Sequence, residues 1–166
     1  MYTVEEIRAE YNRLDRLCGV DTAPVAIMIS KKSVRRYGSC TCKSGGPTCI
    51  RIAAFLLEED AAFWDTVRHE YAHALVALRH PGHNHGHDAV WRAACVEVGC
   101  QPERLAASCS GFEEKRRSAV KYRVTCGACG RSSEYLRRGR VVDALLRGRP
   151  CVCACGGKRI RLEEVG

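Results

Sequence analysis

All six histidines of the chain lie between positions 69 and 87. Two of them, His69 and His73, bracket the sequence HEYAH, which is an HExxH pattern. On a helix, positions i and i+4 lie one turn apart on one face, so both imidazoles can reach one zinc ion at about 2.0–2.1 Å. Glu70 follows the first histidine and can take a proton from zinc-bound water. The pattern therefore predicts a helix that carries a hydrolytic zinc site.

A helix around this pattern is predicted to begin after Asp60, which can serve as its N-cap, and to end near Arg79, before Pro81. Five apolar residues recur along it at helical spacing and form a stripe: Phe63, Val67, Tyr71, Ala74 and Leu78. His69 and His73 lie roughly opposite this stripe. We expect the stripe to pack in the core and the two histidines to face a cleft.

A catalytic zinc site needs a third protein ligand beside the two helical histidines. The metzincin pattern places that ligand at position 79, and Arg79 excludes this class. His80 shares a helix face with His69 and His73. However, it lies about 10 Å beyond His73 along the helix axis, so we expect it to cap the end of the helix instead.

The histidine-rich loop at 80–87 contains the remaining candidates for the third ligand. His87 is preferred because it opens a second predicted helix over 88–99, and a helix holds a ligand more firmly than a glycine-rich loop does. His83 and His85 in the loop, and Glu97 on the second helix, remain open as alternatives.

Twelve cysteines are many for a chain with no apolar centre of a signal peptide at its N-terminus and no apolar run that could cross a bilayer. A cytoplasmic location is therefore expected, where thiols and metal ligands are commoner than disulfides. The clusters CGAC at 126–129 and CVCACGG at 151–157 have the spacing of a structural zinc ribbon. Its expected ligands are Cys126, Cys129, Cys153 and Cys155, with Cys151 as the alternative to Cys153.

Three further cysteines, Cys40, Cys42 and Cys49, have the spacing C-x-C-x₆-C. A second metal site there is conceivable. We expect a cluster of ordinary thiols at a strand edge instead.

The positive charge of the chain is concentrated at its C-terminal end. Residues 115–166 contain 14 Lys and Arg but only 4 Asp and Glu, whereas residues 1–114 contain 13 and 15. Such a basic segment suggests a polyanionic partner, most often nucleic acid bound through its phosphates. The candidate DNA contacts are Arg131, Arg137, Arg138, Arg140, Lys158 and Arg159.

Four further motifs accompany the HExxH pattern: YGSC at 37–40, Ile-Arg-Ile within 48–57, Gly86-His87 followed by Trp91, and the C-terminal cysteines. Together they resemble the Spartan-type, SprT-like zinc metalloproteases over most of the chain. One departure is Asp88, where that family usually has glycine. The related YgjP-like zincins have a shorter gap to the third histidine and lack the ribbon. The resemblance implies a zincin-like fold and, for Spartan-type members, cleavage of proteins crosslinked to DNA.

An α+β fold is therefore expected. A SprT-like zincin domain over 1–112 combines a small mixed sheet with the HExxH helix and the third-ligand helix, and a basic antiparallel zinc ribbon covers 113–166. Outside the zinc motifs, a helix is predicted over 3–18, a buried strand over 25–30, a strand over 49–53 and a polar connection over 100–121.

The expected function is zinc-dependent endopeptidase activity on DNA-associated or DNA-crosslinked proteins, with one catalytic and one structural Zn²⁺. Two other functions remain open. One is a nucleic-acid-associated zinc-binding module without protease activity, and the other is a zincin that acts on substrates unrelated to DNA.

Overall fold

The computed structural model describes residues 1–33, 36–44, 46–102 and 110–165, of which 110–112 and 115 are described by their backbone alone. It is an α+β structure with two units, Met1–Glu113 and Glu114–Gly166, and each unit contains a three-stranded sheet. Within the described ranges, none of the helices combines the length and the apolar character needed to cross a membrane.

Helix α1 (Val4–Cys18) begins at a capping box. The Thr3 hydroxyl accepts a hydrogen bond from the Glu6 N–H, and the Glu6 carboxylate accepts one from the Thr3 N–H. Gly19 ends the helix in the left-handed conformation, with φ 68°. The buried residues recur at helical spacing and are Ile7, Tyr11, Leu14 and Cys18. The helix predicted over 3–18 is confirmed.

The sheet of the first unit has the order β1-β3-β2. Strand β1 (Ala26–Ser30) is parallel to the central strand β3 (Gly46–Ala53), and β2 (Gly38–Lys43) is antiparallel to β3. The prediction of a buried strand over 25–30 is wrong in its burial, because β1 lies at an edge of the sheet and Met28 is 50% exposed. A short apolar run predicts a strand but does not determine its place in the sheet.

Helix α2 (Asp60–Arg79) packs an apolar face into the core, where the fully buried residues are Phe63, Val67, Tyr71, Ala72, Ala74 and Leu75. The predicted stripe is confirmed except for Leu78, which is partly exposed. The predicted cap is wrong: Asp60 is the first helical residue, and the N-cap position belongs to Glu59, whose side chain does not cap the helix.

Polar contacts fix α2 between α1 and helix α3 (Ala89–Val98). The Tyr71 hydroxyl donates to Asp15 of α1 at 2.8 Å. The Arg79 guanidinium donates to the Cys18 carbonyl at 2.8 Å and forms two hydrogen bonds, of 2.7 and 2.8 Å, with the Glu97 carboxylate on α3. These bonds hold the three helices in a fixed relation along the C-terminal half of α2.

The second unit is built around strand β4 (Tyr122–Cys126), which pairs in antiparallel fashion with β5 (Ser132–Tyr135) and β6 (Ile160–Glu164). Helix α5 (Arg140–Leu146) lies between β5 and β6 in sequence and buries Val142 completely. Helix α4 (Ser110–Ser118) spans the boundary between the units. Neither α4 nor α5 was predicted; the 100–121 segment was expected to be a polar connection.

Candidate metal centres

Helix α3 starts at the point where the chain returns to α2. Asp88 is its N-cap, and its carboxylate accepts hydrogen bonds from the N–H groups of Val90 and Trp91 at 3.0 and 3.1 Å. The aspartate that departs from the SprT-like pattern therefore stabilises the helix start. His87 immediately precedes this cap and lies beside His69 and His73 of α2.

The three histidines bring one nitrogen each into a common space. Their ligand atoms all lie within 4.8 Å of one another, and the Nε2 atoms of His69 and His87 are 3.4 Å apart. Two nitrogens bound to one tetrahedral zinc ion at its usual bond length would be separated by about 3.3 Å. The spacing of this pair therefore fits a shared zinc ion.

The ring of one tryptophan packs against all three candidate ligands. Trp91 is fully buried, and its ring centroid lies 4.7, 5.1 and 4.4 Å from those of His69, His73 and His87. Its Nε1 atom has no hydrogen-bond partner among the described residues. Trp91 therefore acts here as an apolar wall that restricts the orientation of the imidazoles.

Burial sets the protonation state of the histidines on α2. It lowers the pKa of His69 to about 4 and that of His73 to about 3, with the neighbouring histidines adding to the effect. Both rings are therefore neutral at pH 7, and a neutral imidazole is the form that offers a lone pair to a metal.

Glu70 is almost completely buried, with 5% of its surface exposed. Burial raises the pKa of Glu70 to about 8, while a hydrogen bond with the Cys40 backbone and the charge of Arg36 oppose this rise. With this pKa the Glu70 carboxyl is largely protonated at pH 7, and a cation bound at the neighbouring histidines would favour the carboxylate form that accepts a proton.

Gly38 of β2 makes room for this carboxylate. A Cβ atom at position 38 would lie 2.6 Å from both Cγ and Oε1 of Glu70, which is far inside normal contact distance. The backbone of β2 therefore touches the Glu70 side chain directly. The sequence singled out this glycine only as part of the YGSC motif and gave no reason for it.

Replacing Gly38 with alanine should displace Glu70 while leaving the three histidines in place. We expect kcat of any hydrolytic reaction at this site to fall about 10²-fold, the usual effect of a shift of about 1 Å in a reacting group. The zinc content should not change. Ser39→Ala is the matched control, and equal activity in Gly38→Ala and Ser39→Ala would contradict this role of the glycine.

The alternative third ligands lie elsewhere. Glu97 is engaged by Arg79, and His80 occupies the C-cap of α2. The ring of His85 lies 5.0 Å from that of His80 and 6.1 Å from that of His83, and His85 Nδ1 is 2.9 Å from the Asp88 carboxylate. Of the described histidines, only His87 joins His69 and His73 in a three-ligand group.

His69, Glu70, His73 and His87 line a cleft of about 1020 Å³. One wall is the edge strand β2, the floor is α2 with His69, Glu70 and His73, and the opposite rim is the loop from Pro81 to His87. The predicted position of the two helical histidines on a cleft face is confirmed.

The family model for the SprT-like family matches residues 4–117, which include α1 to α3 and the whole histidine cluster. This chain belongs to the SprT-like family. A comparison with curated proteins finds no match.

The second unit of this SprT-like protein contains a four-cysteine cluster outside the matched region. The Sγ atoms of Cys126 and Cys155 are 3.8 Å apart, as are those of Cys129 and Cys153. Two sulfurs bound to a tetrahedral zinc ion would be separated by about 3.8 Å, so the cluster fits zinc. Cys151 is not a member of the group.

The backbone around these sulfurs favours thiolates. Hydrogen bonds from the backbone of Cys129 and Ala128 lower the pKa of Cys126 to about 6. Gly157 is packed so closely that a Cβ atom there would lie 2.7 Å from Ala128 Cβ and 2.9 Å from Cys126 Sγ. The Gly157 N–H also donates to Cys155 Sγ at 3.4 Å. The Cys129 and Cys153 side chains oppose this bond and raise the pKa of Cys155 to about 11, so a bound metal cation would be needed to hold all four sulfurs as thiolates.

The six basic residues predicted to contact DNA, Arg131, Arg137, Arg138, Arg140, Lys158 and Arg159, are all exposed. Asp143 offsets part of this charge: it pairs with Arg138 at 3.4 Å and with Arg147 at 3.0 Å. One carboxylate is thus shared by two guanidinium groups.

The described residues contain no third metal group that includes Cys40, Cys42 and Cys49. Of these three, Cys40 and Cys42 are close to each other, with 3.9 Å between their sulfurs.

Proposed function

We propose that this SprT-like chain is a zinc-dependent endopeptidase. His69, His73 and His87 hold the catalytic zinc ion, and Glu70 is the general base. One observation carries the proposal: three imidazole nitrogens converge beside a buried carboxylate on the floor of an open cleft. The four-cysteine group holds a second, structural zinc ion, so that the first unit is a zincin-like domain and the second a zinc ribbon.

The residues of the site divide the chemistry between them. Zinc, when bound, polarises a carbonyl oxygen and lowers the pKa of water at its open position. Glu70 takes the proton of the attacking water and returns it to the leaving amine. Trp91 keeps the imidazole rings in position, and Gly38 gives Glu70 access to the cleft.

The wall of the cleft suits an extended peptide. Strand β2 pairs only with β3 among the described strands, so its other edge can bind a peptide backbone by strand addition. Because the cleft is open, a segment in the middle of a protein chain can enter it. Cleavage of an unfolded protein substrate by the wild-type chain but not by Glu70→Gln tests this function.

The substrates we propose are proteins associated with DNA or crosslinked to it. The basic residues of the second unit support this proposal, because an exposed cluster of Arg and Lys binds the phosphate backbone without reading its sequence. The rings of Tyr122 and Tyr135, on directly paired positions of β4 and β5, offer surfaces on which bases can stack.

DNA binding by the full chain should weaken steeply with salt. Replacing Arg131, Arg137 and Arg140 together with alanine should lower the affinity and reduce the slope of log K against log salt by about 0.9 for each lost phosphate contact on duplex DNA. Fluorescence anisotropy with a labelled duplex measures both. The control is Lys31→Ala with Lys32→Ala, two exposed lysines of the first unit. If the control and the triple variant lose affinity equally, the second unit is not the DNA-binding surface.

A further inference from the structure

Two thiols lie side by side on the strand that forms the wall of the cleft. Cys40 and Cys42 both belong to β2, and their sulfurs are 3.9 Å apart. Cys49 on the adjacent strand is buried, and its thiol contacts the carbonyl of its own neighbour, Ile50, at 3.8 Å. The close pair is therefore Cys40 with Cys42. Both line the cleft.

The two thiols differ in access. Cys42 is exposed, so an oxidant in solution can reach it, whereas Cys40 is partly buried. Burial and the adjacent Cys42 sulfur raise the pKa of Cys40. Cys42 is therefore the sulfur that an oxidant meets first, and Cys40 is the second thiol within reach of it.

The backbone permits a bond between them, but only a strained one. Two residues of a strand advance by about 6.4–6.8 Å, which is at the upper end of the Cα separations that disulfides span. The pairing of β2 with β3 shifts register between Thr41 and Cys42, and such a bulge bends the strand locally. A disulfide formed here would be more easily reduced than a structural disulfide.

We propose that Cys40 and Cys42 form a reversible disulfide, with a peroxide as the oxidant. The Cys42 thiol loses its proton and its sulfur attacks one peroxide oxygen. The O–O bond breaks, Cys42 becomes a sulfenic acid, and the other oxygen takes up that proton and leaves as water. The Cys40 sulfur then attacks the Cys42 sulfur. The S–S bond forms, and the sulfenic oxygen leaves as water with the proton of the Cys40 thiol. The thiol pair loses two electrons, and the peroxide is reduced to water.

The disulfide would act on the neighbouring site, and this step rests on the proposed function. The Cys40 backbone is hydrogen-bonded to Glu70, and Gly38, two residues earlier on β2, contacts the same carboxylate. Closing the 40–42 bond changes the backbone at Thr41 and pulls on both contacts. We expect the oxidised form to lose about 10²-fold in cleavage rate, as for a displaced reacting group.

The test is peptide mass spectrometry on the zinc-loaded full chain after treatment with hydrogen peroxide. Trypsin cuts after Arg36, Lys43 and Arg51, so Cys40 and Cys42 share the peptide 37–43 and Cys49 falls in 44–51. We expect peptide 37–43 to resist alkylation and to be lighter by two hydrogen atoms, and to recover two alkylation sites after reduction. A peptide 37–43 that stays doubly alkylated, is linked to 44–51, or carries only a sulfinic acid would overturn the proposal.

Two variants serve as controls. Cys42→Ser should never give the lighter peptide, whereas Cys49→Ser should give it as readily as the wild type. For activity, each protein is compared with its own untreated sample. A reductant should restore the wild type and Cys49→Ser, whereas Cys42→Ser should show no loss that a reductant reverses. The mass measurement does not require this protein to cleave any substrate. Disulfide formation and the proposed protease function can therefore fail independently of each other.

Discussion

Replacing Glu70 with glutamine is expected to lower kcat/KM by about 10²–10⁴-fold, the usual contribution of general acid–base catalysis. Glutamine has nearly the same size and fits the same space against Gly38, but its amide cannot take a proton from water. The three histidines are unchanged, so the variant should still bind zinc at the catalytic site.

The measurement combines a cleavage assay with elemental analysis of the same preparation. Glu58→Gln is the matched control, because it makes the same chemical change at an exposed residue that lies just before α2 and outside the cleft. A Glu70→Gln variant that cleaves as fast as Glu58→Gln would show that Glu70 is not the base. Loss of zinc together with activity would instead show that Glu70 helps to hold the metal site.

The local parts of the site could be predicted from the sequence because they depend on helical period. The i, i+4 spacing of His69 and His73 places both on one face of α2, and the apolar stripe on the opposite face fixes which side is buried. His87 could be selected for a reason of the same kind, because a helix start follows it. The four-cysteine pattern could be recognised for a similar reason, because the two cysteines of each pair, Cys126 with Cys129 and Cys153 with Cys155, are close in sequence.

Contacts between distant segments could not be predicted in this way. The fit of Gly38 against Glu70 joins residues 32 positions apart, and no periodic pattern encodes it. The position of β1 at a sheet edge depends on which strand pairs with β3. The cap at Asp88 is local by contrast: an aspartate before a predicted helix favours an N-cap, but this residue had been considered only as a departure from the family's glycine. The Asp88 carboxylate accepts hydrogen bonds from the N–H groups of Val90 and Trp91, which lie two and three residues further along the chain.

The missed helices have a different cause. Helix α4, with the sequence SGFEEKRRS, has few apolar residues, so its periodic signal is weak. Helix α5 has seven residues and buries one of them, Val142. Such short elements depend on tertiary contacts for their stability rather than on their own sequence.

Replacing His87 with alanine is expected to remove one of two zinc ions per chain and to reduce proteolysis to background. Two histidines on α2 would remain, and two protein ligands do not complete a catalytic zinc site. The ribbon zinc should stay, because its four sulfurs lie in the second unit. Elemental analysis after gel filtration in metal-free buffer measures the stoichiometry.

The matched controls are His83→Ala and His85→Ala, two changes of the same kind in the same loop. Both should retain two zinc ions, because neither residue belongs to the three-histidine group. If His87→Ala keeps both ions and one of the controls loses an ion, the third ligand is in the loop. If the wild type itself holds a single ion that Cys129→Ser removes, only the ribbon binds zinc, and the protease proposal fails at its first requirement. The number of zinc ions per chain in these variants therefore distinguishes a metal site from three imidazoles that lie close together without binding a metal.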